Sequence, residues 1–220
     1  MNHKIQCLIT SVDNFKDPKL FQQGLALLPD FGSWKERKES ISRLRRQESR
    51  LESLGAGLML RTLLLKNSLP LEALSVSEKG KPFLKDHDFH FNLSHSNGYV
   101  VCAFGSAPCG IDIQKEREDR SNIARIFFTE SEYALVQEHG VSMFTRIWAL
   151  KESYVKYTGR GIDENFGTFS VLPDLERRMG LPDFWEKEGR RMTDFGTFLL
   201  PFHRLHYMGG RRAGISDNFP

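Results

Sequence analysis

The sequence lacks several features that would assign it at once to a common class of protein. It has three cysteines, an odd number, and no Cys-x-x-Cys pair, which excludes a disulfide framework and a thiolate zinc site. No stretch approaches the roughly 18 consecutive apolar residues of a membrane-spanning helix. Met1–Thr10 also lacks the long apolar stretch of a secretory signal. We therefore expect a cytoplasmic protein with no membrane partner, in a compartment that keeps thiols reduced.

Two widespread catalytic motifs are missing as well. The chain has neither the Gly-x-Ser-x-Gly elbow of serine hydrolases nor the Gly-x-x-x-x-Gly-Lys-[Ser/Thr] loop that cradles nucleotide phosphates. His95 lies between Ser94 and Ser96, but a Ser-His-Asp triad fits this part of the chain poorly. The sequence therefore offers no convincing nucleophile of its own.

What the sequence does contain is typical of a soluble globular protein. Of its 220 residues, 40% are hydrophobic and 27% are charged, and such a chain can bury a core without disulfides. Its length fits one large domain or two small ones. The net charge of 31 − 28 = +3 is mildly basic and does not suggest a strongly nucleic-acid-binding protein.

The positive charge is concentrated in one segment. Residues 34–50 carry seven basic and three acidic side chains, so the rest of the chain sums to about −1. Apolar spacing predicts a continuous helix over 34–66, with Arg43, Arg46 and Arg50 within about 60° of one another on its surface. Three guanidinium groups on one stripe suit a polyphosphate. The alternative is a solvated face of an amphipathic helix.

Other patterns predict a mixture of helices and strands. Strands are predicted at 4–10, 89–94, 99–104 and 110–114, with a hairpin turn at Asn97-Gly98. Helices are predicted at 17–28, after the capping residues Thr129 and Glu132, and at 144–158. Residues 70–82 read as a loop, and short strands are predicted at 168–172, 197–200 and 203–207. The order of helices then strands occurs twice, which suggests two α+β halves that meet near residue 110.

Asp112 and Glu152 are two carboxylates that could bind one cation. Asp112 and Gln114 leave the same face of a strand, while Ile111 and Ile113 point into a core. Glu152 and Lys156 are one turn apart on the 144–158 helix. Each pair alone is more often structural: a buried aspartate in the first case and a surface ion pair in the second.

The ordered set of motifs is more informative than any one of them. In chain order they are Gly80-Lys81-Pro82, Phe91-Asn92-Leu93-Ser94-His95-Ser96, Gly110-Ile111-Asp112-Ile113, and Trp148-Ala149-Leu150-Lys151-Glu152-Ser153-Tyr154-Val155-Lys156. Together they resemble the 4′-phosphopantetheinyl transferase superfamily, in its Sfp-like type, over about residues 25–172. The resemblance implies an α+β fold of two half-domains related by pseudo-twofold symmetry, 1–109 and 110–220, with the active site at their interface and a monomer as the expected state.

The resemblance also implies a reaction. Such enzymes move the 4′-phosphopantetheine arm of coenzyme A to a serine of an apo carrier protein and release 3′,5′-ADP, so the carrier supplies the attacking hydroxyl. By similarity Asp112, Gln114 and Glu152 would hold Mg²⁺, with Glu152 also the base and Lys156 a catalytic and phosphate-binding residue. The expected coenzyme A contacts are Arg43, Arg46, Arg50, Lys81, Ser94, His95, Lys151 and Lys156.

One position departs from the family pattern. The usual motif is Gly-x-Asp-x-Glu, whereas this chain has Gln114 at the second acidic place. An amide oxygen can still ligate Mg²⁺ or hold a metal-bound water, but one negative charge is lost. We expect weaker Mg²⁺ affinity than in a chain with glutamate there.

Two other functions compete with the transferase. A nucleic-acid-binding protein would spread basic residues and aromatics over an extended face, but the basic segment has only one aromatic residue, Trp34. A catalytically silent relative that binds coenzyme A is the other; Asp112, Glu152 and Lys156 argue against it, and Gln114 leaves room for it.

Overall fold

The structure is a computed structural model. It describes residues 5–116, 121–162 and 164–172, together with the backbone of three short strands at 186–187, 190–191 and 195–201. The architecture is α+β, as predicted, with antiparallel sheets and packed helices. In the part of the chain so described, no helix combines the length and apolarity needed to cross a membrane.

The first sheet has three antiparallel strands, β1 (Ile5–Ser11), β4 (His90–Ser96) and β5 (Tyr99–Gly105). Their order in the sheet is β1-β5-β4. Asn97 and Gly98 both have positive φ, 48° and 81°, which is the turn that matches the twist of a two-residue hairpin. The predicted hairpin is therefore confirmed.

Three helices pack beside this sheet, with the third directly on its strands and the first two against the third. They are α1 (Pro18–Leu27), α2 (Gly32–Arg43) and α3 (Gln47–Lys66). Asp17 caps α1, because its carboxylate accepts the Lys19 and Leu20 amides at 2.7 and 3.3 Å. The main core lies between these helices and the alternate β5 residues Val100, Cys102 and Phe104.

The prediction of one helix over 34–66 is wrong. Leu44 and Arg46 are extended, with ψ of 131° and 129°, so the chain turns between α2 and α3. A single helix of that length would span about 50 Å. The turn instead lets Trp34 and Ile41 of α2 pack into the same core as Leu54 of α3, all three with 1% or less of their surface exposed.

A small hairpin replaces part of the loop predicted at 70–82. Strands β2 (Leu74–Val76) and β3 (Pro82–Leu84) pair antiparallel. The paired residues Leu74 and Leu84 are each only 5% exposed. Burial of these two side chains in the main core explains why a segment rich in polar residues is ordered as a hairpin.

Two further helices lie in the described part of the chain after residue 115. They are α4 (Ser121–Phe127) and the long α5 (Glu130–Thr158). The predicted capping box is confirmed: the Thr129 hydroxyl accepts the Glu132 amide, and the Glu132 carboxylate accepts the Thr129 amide. Gly140, with φ 70° and ψ −151°, breaks α5 into two segments, and Gly159 ends it in a left-handed conformation.

Strand β6 (Cys109–Lys115) pairs antiparallel with β9 (Phe195–Pro201), and two-residue strands β7 (Glu186–Lys187) and β8 (Arg190–Arg191) pair with each other. The strand predicted at 197–200 is thereby confirmed. Residues 168–172 form no strand. Val171 instead packs with Phe128, Phe144 and Leu150 in a second core, which we call the C-terminal core, and its amide donates to Glu132 at 2.8 Å. The strand predicted at 203–207 lies outside the described residues.

Strands β4 and β6 are joined by side chains. Three polar β4 residues accept backbone amides of β6: Asn92 Oδ1 from Ile111 at 2.9 Å, Ser94 Oγ from Ile113 at 3.4 Å, and Ser96 Oγ from Lys115 at 3.3 Å. The two bonded residues are 19 positions apart in the sequence in each case, so β4 and β6 run parallel. We call these three bonds the β4–β6 ladder. It ties the first sheet to the strand that carries Asp112.

Candidate active site

The site is built where α5 crosses β6. A Cβ atom on Gly110 would lie 2.0 Å from the Ser153 carbonyl oxygen and 2.7 Å from the Tyr157 amide nitrogen, so only glycine allows this approach. Alternation along the strand then turns Asp112 and Gln114 toward the same helix, while Ile111 and Ile113, both 0% exposed, enter a core on the other face. This predicted division of faces is confirmed.

Asp112 is the centre of a hydrogen-bonded group. Its side chain is fully buried, and Oδ1 accepts from Ser94 Oγ at 2.7 Å and from Lys156 Nζ at 2.5 Å. Oδ2 accepts from Gln114 Nε2 at 2.8 Å. Lys156 Nζ also donates to Ser94 Oγ at 2.8 Å. Because a buried carboxylate is costly unless it is paired and bonded, these four side chains act as one unit, which we call the Asp112 group.

Glu152 lies one turn before Lys156 on α5 and is partly buried. Burial and the nearby Asp112 charge raise the pKa of Glu152, and Lys156 partly opposes them. A carboxyl group with a raised pKa next to a fixed carboxylate is suited to take up a proton. The structure thus brings Ser94, Asp112, Gln114, Glu152 and Lys156 together, from β4, β6 and α5.

His95 follows Ser94 but faces the opposite side of β4. Its Nδ1 lies 2.9 Å from Glu52 Oε2, and Glu52 Oε1 accepts the Gly98 amide at 2.8 Å. Glu52 belongs to α3 and is buried, whereas the His95 side chain is 42% exposed. His95 therefore lies at the same end of β4 as the Asp112 group, on the adjoining surface.

Lys81 contacts the end of α5. Its Nζ donates to the Tyr157 carbonyl at 2.8 Å, and burial lowers its pKa. A lysine at the last turn of a helix satisfies a free carbonyl and complements the helix dipole. Tyr157 follows Lys156 directly, so Lys81 links the β2–β3 hairpin to the turn that carries the site.

Lys151 is not brought to the Asp112 group. Its side chain is fully buried, and its ammonium contacts Glu132 Oε2 at 3.0 Å and the carbonyls of Phe166 and Phe169 at 3.0 and 2.5 Å. It also lies 4.3 Å from the centre of the Phe169 ring. These partners occupy the ammonium inside the C-terminal core, and we do not include Lys151 in the phosphate site proposed below.

The three arginines of the basic segment do not share a stripe. Arg43, at the end of α2, is exposed and bonds Glu39 at 3.2 Å. Arg46 is the exposed residue before α3, and the Arg50 guanidinium lies 5.1 Å from the centre of the Phe21 ring. The expected single stripe depended on a continuous helix and is lost with the turn at 44–46.

Some residues of the site were given no role in the sequence analysis, although three of them stand in the motifs quoted there. They are Glu52, Asn92, Ser96 and the close-approach glycine Gly110. For Glu52 a signal existed, since it is an acidic residue beside the apolar helix positions Leu51 and Leu54. The ladder residues Asn92 and Ser96 alternate with apolar neighbours, but that pattern alone predicts a solvated strand face.

The donor set fits a hard cation such as Mg²⁺. Mg²⁺ prefers oxygen ligands and is commonly held by one or two carboxylates together with substrate phosphates. Asp112 and Glu152 supply two carboxylates, and Gln114 adds an amide. Among the described residues no three His, Cys, Asp or Glu side chains form a metal-binding group, so phosphate or water oxygens would have to complete the coordination.

Comparison with known proteins identifies the family. The family model of the 4′-phosphopantetheinyl transferase superfamily matches residues 108–196, which include Asp112, Glu152 and Lys156. The chain is 32% identical over 165 residues to the 4′-phosphopantetheinyl transferase ffp of Bacillus subtilis, covering 71% of this chain and 73% of that protein. The chain therefore belongs to the 4′-phosphopantetheinyl transferase superfamily.

Other relatives are more similar over shorter segments. The 4′-phosphopantetheinyl transferase Sfp of Bacillus subtilis (strain 168) is 40% identical over 116 residues, which is 50% of this chain and 52% of Sfp. The 4′-phosphopantetheinyl transferase gsp of Aneurinibacillus migulanus is 38% identical over 135 residues, 58% of this chain and 56% of gsp. The chain thus spans little more than half the length of these two relatives.

Proposed function

We propose that the protein transfers the 4′-phosphopantetheine arm of coenzyme A to a serine of an apo carrier protein and releases 3′,5′-ADP. The observation that carries this proposal is the Asp112 group, in which Asp112, Ser94 and Lys156 lie within hydrogen-bond distance of one another. Glu152 lies beside this group, one turn before Lys156 on α5. Asp112, Glu152 and Lys156 lie in the segment that the family model matches, and the relatives named above are described as 4′-phosphopantetheinyl transferases.

The proposed step needs a proton acceptor and charge stabilisation. The serine oxygen of the carrier forms a bond to the phosphorus that bears the pantetheine arm, as the bond from that phosphorus to the bridging pyrophosphate oxygen breaks. The electron pair leaves with 3′,5′-ADP, and the serine proton passes to Glu152, directly or through water. Lys156, whose ammonium is already held by Asp112 and Ser94, stabilises the negative charge of the phosphates.

Asp112 and Glu152 are the residues that would hold Mg²⁺, with Gln114 as a neutral oxygen donor beside them. When bound, the metal would supply neutralisation of the pyrophosphate charge. Of the remaining predicted contacts, His95 follows Ser94 on β4, and Lys81 bonds the carbonyl of Tyr157, the residue after Lys156. Arg43, Arg46 and Arg50 follow separately along the α2–α3 turn. We keep these as proposed coenzyme A contacts, each acting alone rather than as a stripe.

The same proposal extends to the organisation of the chain. We infer two half-domains, 1–109 and 110–220, related by pseudo-twofold symmetry, with a monomer as the active form. In support, α3 packs on β4 and β5 in the first half and α5 packs on β6 and β9 in the second. A reducing cytoplasm stays the expected location, and the three cysteines are free thiols.

The test is a transfer assay with the whole chain, coenzyme A, Mg²⁺ and several apo carrier proteins, read by mass spectrometry of the carrier. We expect the added mass of phosphopantetheine and an equal amount of 3′,5′-ADP. The Glu152→Gln variant should lose at least about 100-fold in kcat/KM, whereas Glu138→Gln, an exposed change on the same helix, should not. No added mass on any carrier would overturn the proposal.

The Glu152→Gln variant must also be shown to fold, and its stability has an expected sign. Because the pKa of Glu152 is raised, the folded wild type loses stability as pH rises from the ordinary glutamate value of about 4.3 through the raised value. Glutamine does not ionise, so the variant does not lose this stability. At pH 7 in EDTA the variant should melt about 1–3 °C above wild type, and near pH 4 the difference should vanish.

A further inference from the structure

A buried carboxylate on α3 has no place in the reaction described so far. Glu52 lies on α3 between Leu51 and Leu54, which pack in the main core, and its side chain is only 8% exposed. An ionised side chain in such a place is costly unless its oxygens are bonded. Both Glu52 oxygens accept from the tip of the β4–β5 hairpin, Oε2 from His95 Nδ1 at 2.9 Å and Oε1 from the Gly98 amide at 2.8 Å.

These two bonds determine how His95 is presented. An ionised carboxylate can only accept hydrogen bonds, so Nδ1 carries the proton in this pair. Nε2 is then the ring nitrogen left for a ligand, and the His95 side chain is 42% exposed. A phosphate oxygen accepts hydrogen bonds, so Nε2 contacts it only when the ring takes up a second proton and becomes an imidazolium, in which both nitrogens donate. The bond to Gly98 holds the hairpin turn itself, in which Asn97 and Gly98 have positive φ.

The pair lies next to the Asp112 group. Ser94 precedes His95 on β4 and faces β6, where it bonds Asp112 and Lys156, while His95 faces α3. A ligand with several phosphates can therefore contact both surfaces around the end of one strand. The orientation of the imidazole decides whether the second contact is available.

We propose that Glu52 is a positioning residue for coenzyme A. It holds His95 through Nδ1 and the Asn97–Gly98 turn through the Gly98 amide, so that His95, as an imidazolium, donates its Nε2–H to a phosphate of the substrate. This rests on the proposed function for the identity of the ligand. It goes further in assigning a role to a residue that contacts neither substrate nor metal.

The experiment is a double-mutant cycle on ligand binding and on kinetics. Glutamine at position 52 has one acceptor oxygen and cannot satisfy both donors, so Glu52→Gln should weaken binding of 3′,5′-ADP, measured by calorimetry, by about tenfold. It should raise KM for coenzyme A similarly and change kcat by less than about twofold. His95→Ala should lose about as much, and the double variant no more than His95→Ala alone.

The matched control is Glu48→Gln, an exposed glutamate on the same helix, which should bind 3′,5′-ADP like wild type. A merely structural role for Glu52 would lower the melting temperature and give losses that add to those of His95→Ala. Additive losses, or an unchanged 3′,5′-ADP affinity in Glu52→Gln, would overturn the proposal.

A spectroscopic measurement keeps the test independent of turnover and of variant folding. Nitrogen-15 correlation spectra of wild type at pH 8.5 should show His95 with its proton on Nδ1, and saturating 3′,5′-ADP should shift Nε2 toward its protonated position. The Nε2–H tautomer, or no Nε2 shift, would refute the assignment. If the carrier protein is modified but these spectroscopic signatures are absent, this inference alone is wrong. If the signatures are present but no carrier protein is modified, the proposed function alone is wrong.

Discussion

At the scale of single residues, the substitution of an amide for an acid at position 114 has a defined structural consequence. Gln114 donates its Nε2 hydrogen to Asp112 Oδ2 at 2.8 Å, so it orients Asp112 without adding charge beside it. A glutamate at this place would have no donor for Asp112 and would bring like charge next to both Asp112 and Glu152.

Gln114→Glu should therefore tighten Mg²⁺ and destabilise the metal-free protein. We expect the Mg²⁺ midpoint of transfer activity to fall about fivefold, since the variant supplies a third carboxylate, and the melting temperature in EDTA to fall. Gln137→Glu, an exposed change on α5, serves as the control for general charge effects. An unchanged Mg²⁺ midpoint would count against any metal role for Gln114.

At the scale of elements, the important junction is the β4–β6 ladder. Asn92 is 5% exposed and its oxygen satisfies the amide of fully buried Ile111, whereas Ser96 satisfies the amide of exposed Lys115. A buried amide that loses its acceptor cannot turn to water, but an exposed one can. The inner end of the ladder should thus contribute more to stability than the outer end.

Asn92→Ala should lower the free energy of unfolding by about 1–3 kcal/mol, and Ser96→Ala by less than about 1 kcal/mol. Urea unfolding of the two variants beside wild type measures both values. Equal losses in the two variants would show that the ladder does not act through its buried amides.

At the scale of the whole molecule, the reactivity of the three thiols measures how tightly the sheets pack together. Cys7 on β1, Cys102 on β5 and Cys109 on β6 are free. Burial raises the pKa of Cys7 and of Cys109 to about 12 in each case, and Cys102 is fully buried. The thiolate needed for alkylation is therefore scarce in the folded protein.

Native protein treated with iodoacetamide at pH 8 should gain no adduct within the time in which the reagent labels free cysteine. For a pKa of about 12 in place of the ordinary value near 8.5, the thiolate fraction at pH 8 falls about a thousandfold. In denaturant all three residues should react, as counted by intact mass. A rapid single adduct on the native chain would contradict the packing of β1, β5 and β6.

Local signals in the sequence predicted much of this structure. The Asn97-Gly98 turn, the Thr129–Glu132 capping box and the shared face of Asp112 and Gln114 each depend on neighbours within a few residues, and each was confirmed. The turn between α2 and α3 was missed, because apolar spacing continues through it and only packing of Trp34, Ile41 and Leu54 in one core requires it.

By itself, then, the sequence determined the α+β class, the order of the motifs and the chemical types of side chain at the site, since these follow from local periodicity and residue chemistry. Tertiary structure alone decided which of those side chains meet. Lys151 and Lys156 are five residues apart on one helix, yet Lys156 joins Asp112 and Lys151 enters the core with Glu132. The physical reason is that a buried charge must find partners that are distant along the chain. The contacts of Asp112 with Lys156 and with Ser94 span 44 and 18 residues, which is beyond the reach of any local pattern.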